Sequence, residues 1–435
     1  MKPNRLIETI FALLATVFLG VVLHAPYTVF IGSAFPEIAV PIKAWKEALM
    51  LVAGVLLLVE IIRKKQWRIV WDSWLMRLMI AFVGLHLLML PVFWQGSVAA
   101  VAGLMIDLRF IAFFMLVYVF LRLAPGYKEL FWRIGAIGAI IVIGFGFLQL
   151  FLPHDILRHI GYSNETIRPY TTVDRNYDYI RINSTLRGPN PLGAYAGMVV
   201  LFLAAFVTTK QFRRLSQYWK IGLILAGSMT LVVLFISHGR AAWLGTVVGL
   251  MVMLAIRYWK YINRMVVSIG VVGVLLTGGV LYMMKDNPAV STVLWHEDPY
   301  EGGEVNSNDG HWHSLVDGTE RMLRQPFGAG VGSTGSASLM NDNQSLIIEN
   351  QYLFIAHEVG WLGLGLFGAI FVMTMRQLWF GRGDWRVLAV FASGICLAVI
   401  GLLLPVWVDD TVSIVWWGLA AIGIATMNKR KMKTI

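Results

Sequence analysis

Apolar blocks of about twenty residues follow one another along almost the whole chain, with short polar clusters between them. A helix of that length spans the hydrocarbon core of a bilayer, where every backbone polar group must be satisfied internally. The chain is therefore expected to be all-α, a polytopic integral membrane protein of about twelve transmembrane helices. The expected spans are 6–31, 44–62, 75–94, 98–122, 131–152, 191–209, 219–237, 240–258, 263–284, 349–375, 386–405 and 410–428. They form a single transmembrane domain over residues 1–435, with two long loops at 153–190 and 285–348 that are expected to carry short helices. Hydrophobic residues make up 57% of the chain and charged residues 14%. A soluble domain carries about a quarter charged residues, so no stretch is left for one.

The net charge of +11 does not point to nucleic acid, because the basic residues sit in short clusters between apolar blocks. That is the pattern of cytoplasmic loops. Lys2 and Arg5, Arg63 to Arg68, Arg122 and Lys128, Lys210 to Lys220, Arg257 to Arg264, Arg376 to Arg386 and Lys429 to Lys433 all fall on one side. The opposite short loops are nearly bare, with Lys43 the main exception. Both termini are thus expected in the cytoplasm and both long loops outside, in a multi-pass protein of the cytoplasmic (inner) membrane. The first apolar stretch is too long for a signal-peptide core and reads as an uncleaved helix. The single cysteine, Cys396, lies inside an apolar block and permits no disulfide within the chain.

Several polar groups stand where this scheme needs a reason for them. Arg181 and Arg187 precede Gly188-Pro189-Asn190-Pro191, where the first long loop meets a helix. Asn190 suits an N-cap and Pro191 the first helical turn. A helix N-terminus beside two arginines can bind a phosphate, although a capped helix with solvated arginines accounts for the same residues. Arg240, in the tight turn Ser237-His238-Gly239-Arg240, is a cation on the side the charge rule leaves bare. It either snorkels to lipid headgroups or joins Arg181 around an anion. The second long loop is acidic. It holds His296, His311 and His313, a stretch from His311 to Arg324 with helical apolar spacing, and the turn Pro326-Phe327-Gly328-Ala329-Gly330-Val331-Gly332. The stretch is expected to form an amphipathic helix at the membrane surface. The turn reads either as a plain loop or as backbone approaching a ligand. Glu349, Asn350, Gln351 and Tyr352 open the next helix. Glu358 beyond them, with Asp107 and Arg109 elsewhere, are ionisable groups at membrane depth. Asp107 and Arg109, two apart, do not face each other on a helix, so each needs a partner elsewhere.

These motifs, taken in order, resemble those of the O-antigen ligase and O-antigen polymerase superfamily of bacterial membrane glycosyltransferases. Arg181, Pro189, Asn190 and Gly193 match its arginine and Pro-Asn-x-x-Gly helix entry, and Arg240, Trp243 and Leu244 its Arg-Ala-Trp-Leu turn. His311, Pro326, Gly330 and Gly332 hold the places of an outer loop with a basic residue and a Gly-x-Gly turn. Asn350, Tyr352, Leu353, Glu358, Gly360 and Gly363 match the last segment. The chain departs from the ligases at two places: Glu349 stands where they have a histidine, and His311 where many members have arginine.

The resemblance implies transfer of a glycan from a polyprenyl-diphosphate carrier to an acceptor hydroxyl at the outer face. The partners would be that donor, a glycan or lipid-linked acceptor, and membrane lipids. Arg181 and Arg240, with Arg187 as a third, would hold the diphosphate. Glu349 or His311 would accept the hydroxyl proton, and Asn190, Asn350 and Glu358 would support the site. Neither metal-ligand spacing nor a cofactor motif is present in the sequence. A polysaccharide or lipid transporter or flippase shares the helix count; against it stand the short loop after the 191–209 span and the lack of a clear internal repeat.

Overall fold

The computed structural model describes residues 5–173, 176–261, 278–280, 282–287, 290–295, 307–340 and 345–425. Most of the expected span 263–284, Arg175, Arg264, His296, the acidic stretch 297–304, Asp342 and the terminal clusters at Lys2 and Lys429 to Lys433 lie outside the described residues.

Apolar blocks become helices with little adjustment. The first is α1 (Arg5–Gly20), continued through one 3-10 turn into α2 (His24–Ala34). Then come α3 (Trp45–Lys64), α4 (Trp74–Val92), α5 (Ser97–Leu123) and α6 (Lys128–Leu148). After the first long loop follow α7 (Pro189–Val207), α8 (Gln217–Ile236) and α9 (Arg240–Tyr258). The second long loop holds α10 (Ser307–Arg324), and the chain closes with α11 (Gln351–Gly381), α12 (Trp385–Gly401) and α13 (Asp410–Ala425). Among the described residues, eight helical stretches are long and apolar enough to cross a membrane, with α1 and α2 counted as one. α3, which carries Lys46, Glu47, Glu60, Arg63 and Lys64, is not among them, and α12 and α13 are shorter apolar helices.

The core is organised around α13. Every residue of it from Asp410 to Ala425 is buried, as expected of a helix that is apolar all round. It packs on α5, α12 and α11, and its Trp416 and Trp417 meet Trp407 and Phe110 in one aromatic cluster. α7, α9 and α12 approach closely through small residues. A Cβ on Gly245 would lie 2.6 Å from the Cys396 carbonyl oxygen, and one on Gly193 3.0 Å from Ala242 Cβ. Small residues let helix backbones meet where no hydrophobic force between helices is available.

The loops differ from expectation in one respect. The first long loop contains, besides a 3-10 turn (Ile156–Ile160), a two-stranded antiparallel sheet of β1 (Thr171–Val173) and β2 (Asn176–Arg181). Thr171 pairs with Arg181 and Thr172 with Ile180. β-Branched and aromatic residues fill β1 and make up half of β2, which favours a pleated, half-buried ribbon over helix. The sheet delivers Arg181 to the start of α7.

In the second loop the glycine-rich turn approaches protein backbone. α11 is broken at Val359 and Gly360, the latter at φ +69. The carbonyls of His357 and Glu358 accept from Ala329 N (2.6 Å) and Gly330 N (3.0 Å), and Trp361 N donates to Pro326 O (2.9 Å). The break thus exchanges helical hydrogen bonds for bonds to the turn. Gly332, at φ +83, sits so close to α5 that a Cβ there would lie 2.4 Å from the Ala99 carbonyl oxygen. Glu358 completes the joint: its Oε1 accepts from Gly332 N (3.1 Å) and Thr334 N (3.4 Å).

Candidate functional site

The expected site residues collect at the end of the bundle from which α7, α9 and α11 start. Two groupings stand there. In the first, Arg181 at the end of β2 donates from Nε to the Ser237 carbonyl (2.9 Å) and from Nη2 to Asn190 Oδ1 (2.6 Å). Arg240 opens α9 three residues after Ser237 and donates from Nη1 to the Leu294 carbonyl (2.9 Å). Tyr179, two residues before Arg181 on the same strand face, meets the His238 ring edge-on. The sheet, the start of α7 and the α8–α9 turn therefore form one corner, which Arg181 enters from β2, while Arg240, the first residue of α9, reaches the Leu294 carbonyl.

Asn190 is not the N-cap that its sequence position suggests. α7 begins one residue earlier, at Pro189, with extended Gly188 as cap and no side-chain capping bond. Proline supplies no N–H, so it sits in the first turn at no hydrogen-bond cost. Asn190 is thereby released to hold Arg181. Asn350 does cap: its Oδ1 accepts from Tyr352 N (2.9 Å) and Leu353 N (3.0 Å), and its Nδ2 donates to Leu402 O (2.7 Å).

The second grouping joins the two residues proposed as alternatives for the proton. His311 Nδ1 lies 2.5 Å from Glu349 Oε2. Glu349 N also donates to Ser314 Oγ at 2.9 Å, so one face of α10 grips the approach to α11 at positions three apart. The hydrogen bond to His311 holds the Glu349 carboxyl below its usual range against the opposing effect of burial. α10 covers residues 307–324 where the sequence reading began at 311. It rests on α11 through buried Gly318, against Leu353 and Ile348, and it leaves Trp312, Val316 and Leu323 exposed.

The two groupings are tied through α12, which packs on α7, α9 and α11. Its last turn receives the Tyr352 hydroxyl at the Ala398 carbonyl (3.0 Å), and Leu402 just beyond receives Asn350. Arg187 and Glu358 stand apart from both. Arg187 Nε lies 3.2 Å from Asp409 Oδ2, at the head of α13. Glu358, two turns into α11, serves the glycine turn and lines one small buried cavity with Asp107 and His86. His86 Nε2 is 3.8 Å from Asp107.

Sequence reasoning missed a buried charge network. Asp410 Oδ2 lies 2.9 Å from His24 Nε2, 3.1 Å from Lys46 Nζ and 3.4 Å from Arg109 Nη1. Glu47 adds contacts to Lys46 (3.5 Å) and Arg109 (3.8 Å). Trp45 Nε1 donates to His24 Nδ1 (2.9 Å), which leaves the His24 proton on Nε2, facing Asp410. Arg109 thus finds its partners on α3 and α13, as its spacing from Asp107 required. The signal was available: Lys46, Glu47, Asp409 and Asp410 are charges at the ends of apolar blocks. Among the described residues no set of three metal-ligating side chains gathers.

A family model described as O-antigen ligase matches residues 225–368. That stretch, a third of the chain, contains Arg240, His311, Glu349, Asn350 and Glu358, whereas Arg181, Arg187 and Asn190 precede it. No curated protein sequence matches the chain.

Proposed function

Taking the chain as a member of the O-antigen ligase superfamily, which the match to residues 225–368 supports, we propose a specific reaction for it. It transfers a glycan from a polyprenyl-diphosphate carrier to an acceptor hydroxyl on the outer face of the cytoplasmic membrane, with both termini in the cytoplasm. The observation that carries this reading is that the matched stretch supplies Arg240, His311 and Glu349 to one end of the bundle. There they stand with Arg181 and three helix N-termini. Breaking the bond between the sugar and the diphosphate leaves charge on the leaving oxygen. Arginines fixed in advance stabilise it without reorganising, and more strongly where water is excluded. In this reading Arg181 and Arg240 hold the diphosphate, with Arg187 a third cation at the border of the Asp409 network. Asn190 fixes Arg181, Asn350 fixes the start of α11, and Glu358 fixes the loop that carries α10. The Glu349–His311 pair takes the proton of the acceptor hydroxyl.

The test is transfer measured with purified enzyme, lipid-linked donor and acceptor. Arg181→Ala and Arg240→Ala should each lower the rate on the order of a hundredfold, the usual effect of removing one donor from such a site, with folding retained. Near-normal transfer by both variants would remove the diphosphate site from this corner.

A further inference from the structure

The Glu349–His311 contact has a direction, and it divides the work between the two residues. We infer that His311 is the general base and Glu349 the group that positions it, so that the proton leaves the acceptor hydroxyl for His311 Nε2. This deepens the proposed transfer reaction and rests on it.

Three observations carry the assignment. First, the contact uses Nδ1 of the imidazole, 2.5 Å from Glu349 Oε2. A neutral imidazole carries one proton on two nitrogens, and a carboxylate accepts only. The proton therefore sits on Nδ1, and Nε2 keeps its lone pair for another donor. A carboxylate that fixes the tautomer and orientation of a histidine is the same division of roles seen in hydrolase triads. Second, Glu349 is held on both sides of its Cα. Its backbone N–H bonds to Ser314 Oγ at 2.9 Å, its carboxylate bonds to His311, and the following Asn350 caps α11. Such a residue is built to orient a partner. Third, both side chains are partly open, His311 at 36% and Glu349 at 39%, so a hydroxyl arriving from the aqueous side can reach the imidazole. Glu349 Oε2 is already engaged by His311 Nδ1, whereas Nε2 is the imidazole nitrogen outside that contact.

The acceptor oxygen attacks the anomeric carbon and a new C–O bond forms. The bond from that carbon to the diphosphate oxygen breaks, and its electron pair leaves on the polyprenyl diphosphate. The hydroxyl proton passes to His311 Nε2, and the imidazolium facing Glu349 later returns it to water.

The experiment compares His311→Ala, Glu349→Gln and the double variant, all reconstituted in vesicles with lipid-linked donor and acceptor. His311→Ala should lose at least a hundredfold in kcat, the lower range for a general base. Added imidazole should restore part of the rate. Glu349→Gln keeps a hydrogen-bond acceptor for Nδ1 and should lose less, with no response to imidazole. The double variant should be no slower than His311→Ala, because residues that act as a unit are not additive. Near-normal transfer by His311→Ala, or a loss that imidazole does not restore, overturns the inference. So does a greater loss in Glu349→Gln than in His311→Ala. These outcomes leave the transfer reading intact, whereas absence of transfer by the wild-type protein overturns both.

Discussion

Asp410 shows how much a single residue organises in this chain. Its carboxylate faces Lys46, Arg109 and the Nε2 proton of His24, all inside the bundle. A buried pair is expensive to form, but removing one member costs more, because the remaining charge keeps its desolvation penalty and loses its partner. Asp410→Asn leaves buried Lys46 and Arg109 with Glu47 as their remaining carboxylate in this network. The expected loss is about 3–5 kcal/mol, read as a lower midpoint of thermal or denaturant unfolding in detergent. An unchanged midpoint would mean that the cluster is solvated in the folded protein. Residue-scale chemistry was only half legible in the sequence. Arg181, Arg240, His311 and Glu349 could be singled out by type and position, yet their pairing could not, because His311 and Glu349 lie on different elements and meet only when α10 docks on α11. Asn190 was misplaced for a related reason. Asparagine suits both a cap and an arginine partner, and only the strand that brings Arg181 alongside decides between them.

At the scale of elements, the joint between the glycine turn, the break in α11 and the start of α5 determines where α10 sits. Three contacts make it: the turn amides on the carbonyls of His357 and Glu358, the Glu358 carboxyl on Gly332 N and Thr334 N, and Gly332 against Ala99. The sequence displayed these glycines but not what they approach, since a left-handed turn looks the same whether ligand or backbone comes near. Gly332→Leu meets two obstacles, the positive φ and the Ala99 carbonyl. It should displace the turn and weaken α10 docking, and transfer should fall together with protection of residues 311–324 from hydrogen exchange. Unchanged exchange would show that α10 is held by other contacts. Helices were far more legible than this joint. Apolar length and charged ends mark them directly, and α9 occupies the expected 240–258. The β1–β2 sheet was not foreseen, because two strands of three and six residues leave too short a pattern beside a long polar loop.

For the whole molecule, the proposed reaction depends on the orientation that the distribution of lysine and arginine predicts. A lipid-linked glycan must reach Arg181, Arg240, His311 and Glu349 from outside if the basic loops face the cytoplasm. In a Cys396→Ala background, a cysteine at Tyr177 on the exposed strand should react with an impermeant reagent on intact cells, and one at Gln211 should not. Labelling at Gln211 with protection at Tyr177 would invert the molecule and place the site on the wrong side. The account as a whole stands or falls on chemistry rather than transport. Purified protein in vesicles, given a polyprenyl-diphosphate donor with a labelled glycan and an acceptor on the site-exposed side, should move the label to the acceptor and leave free polyprenyl diphosphate in equal amount. Recovery of the donor intact, whether unmoved or carried to the opposite leaflet, would contradict it.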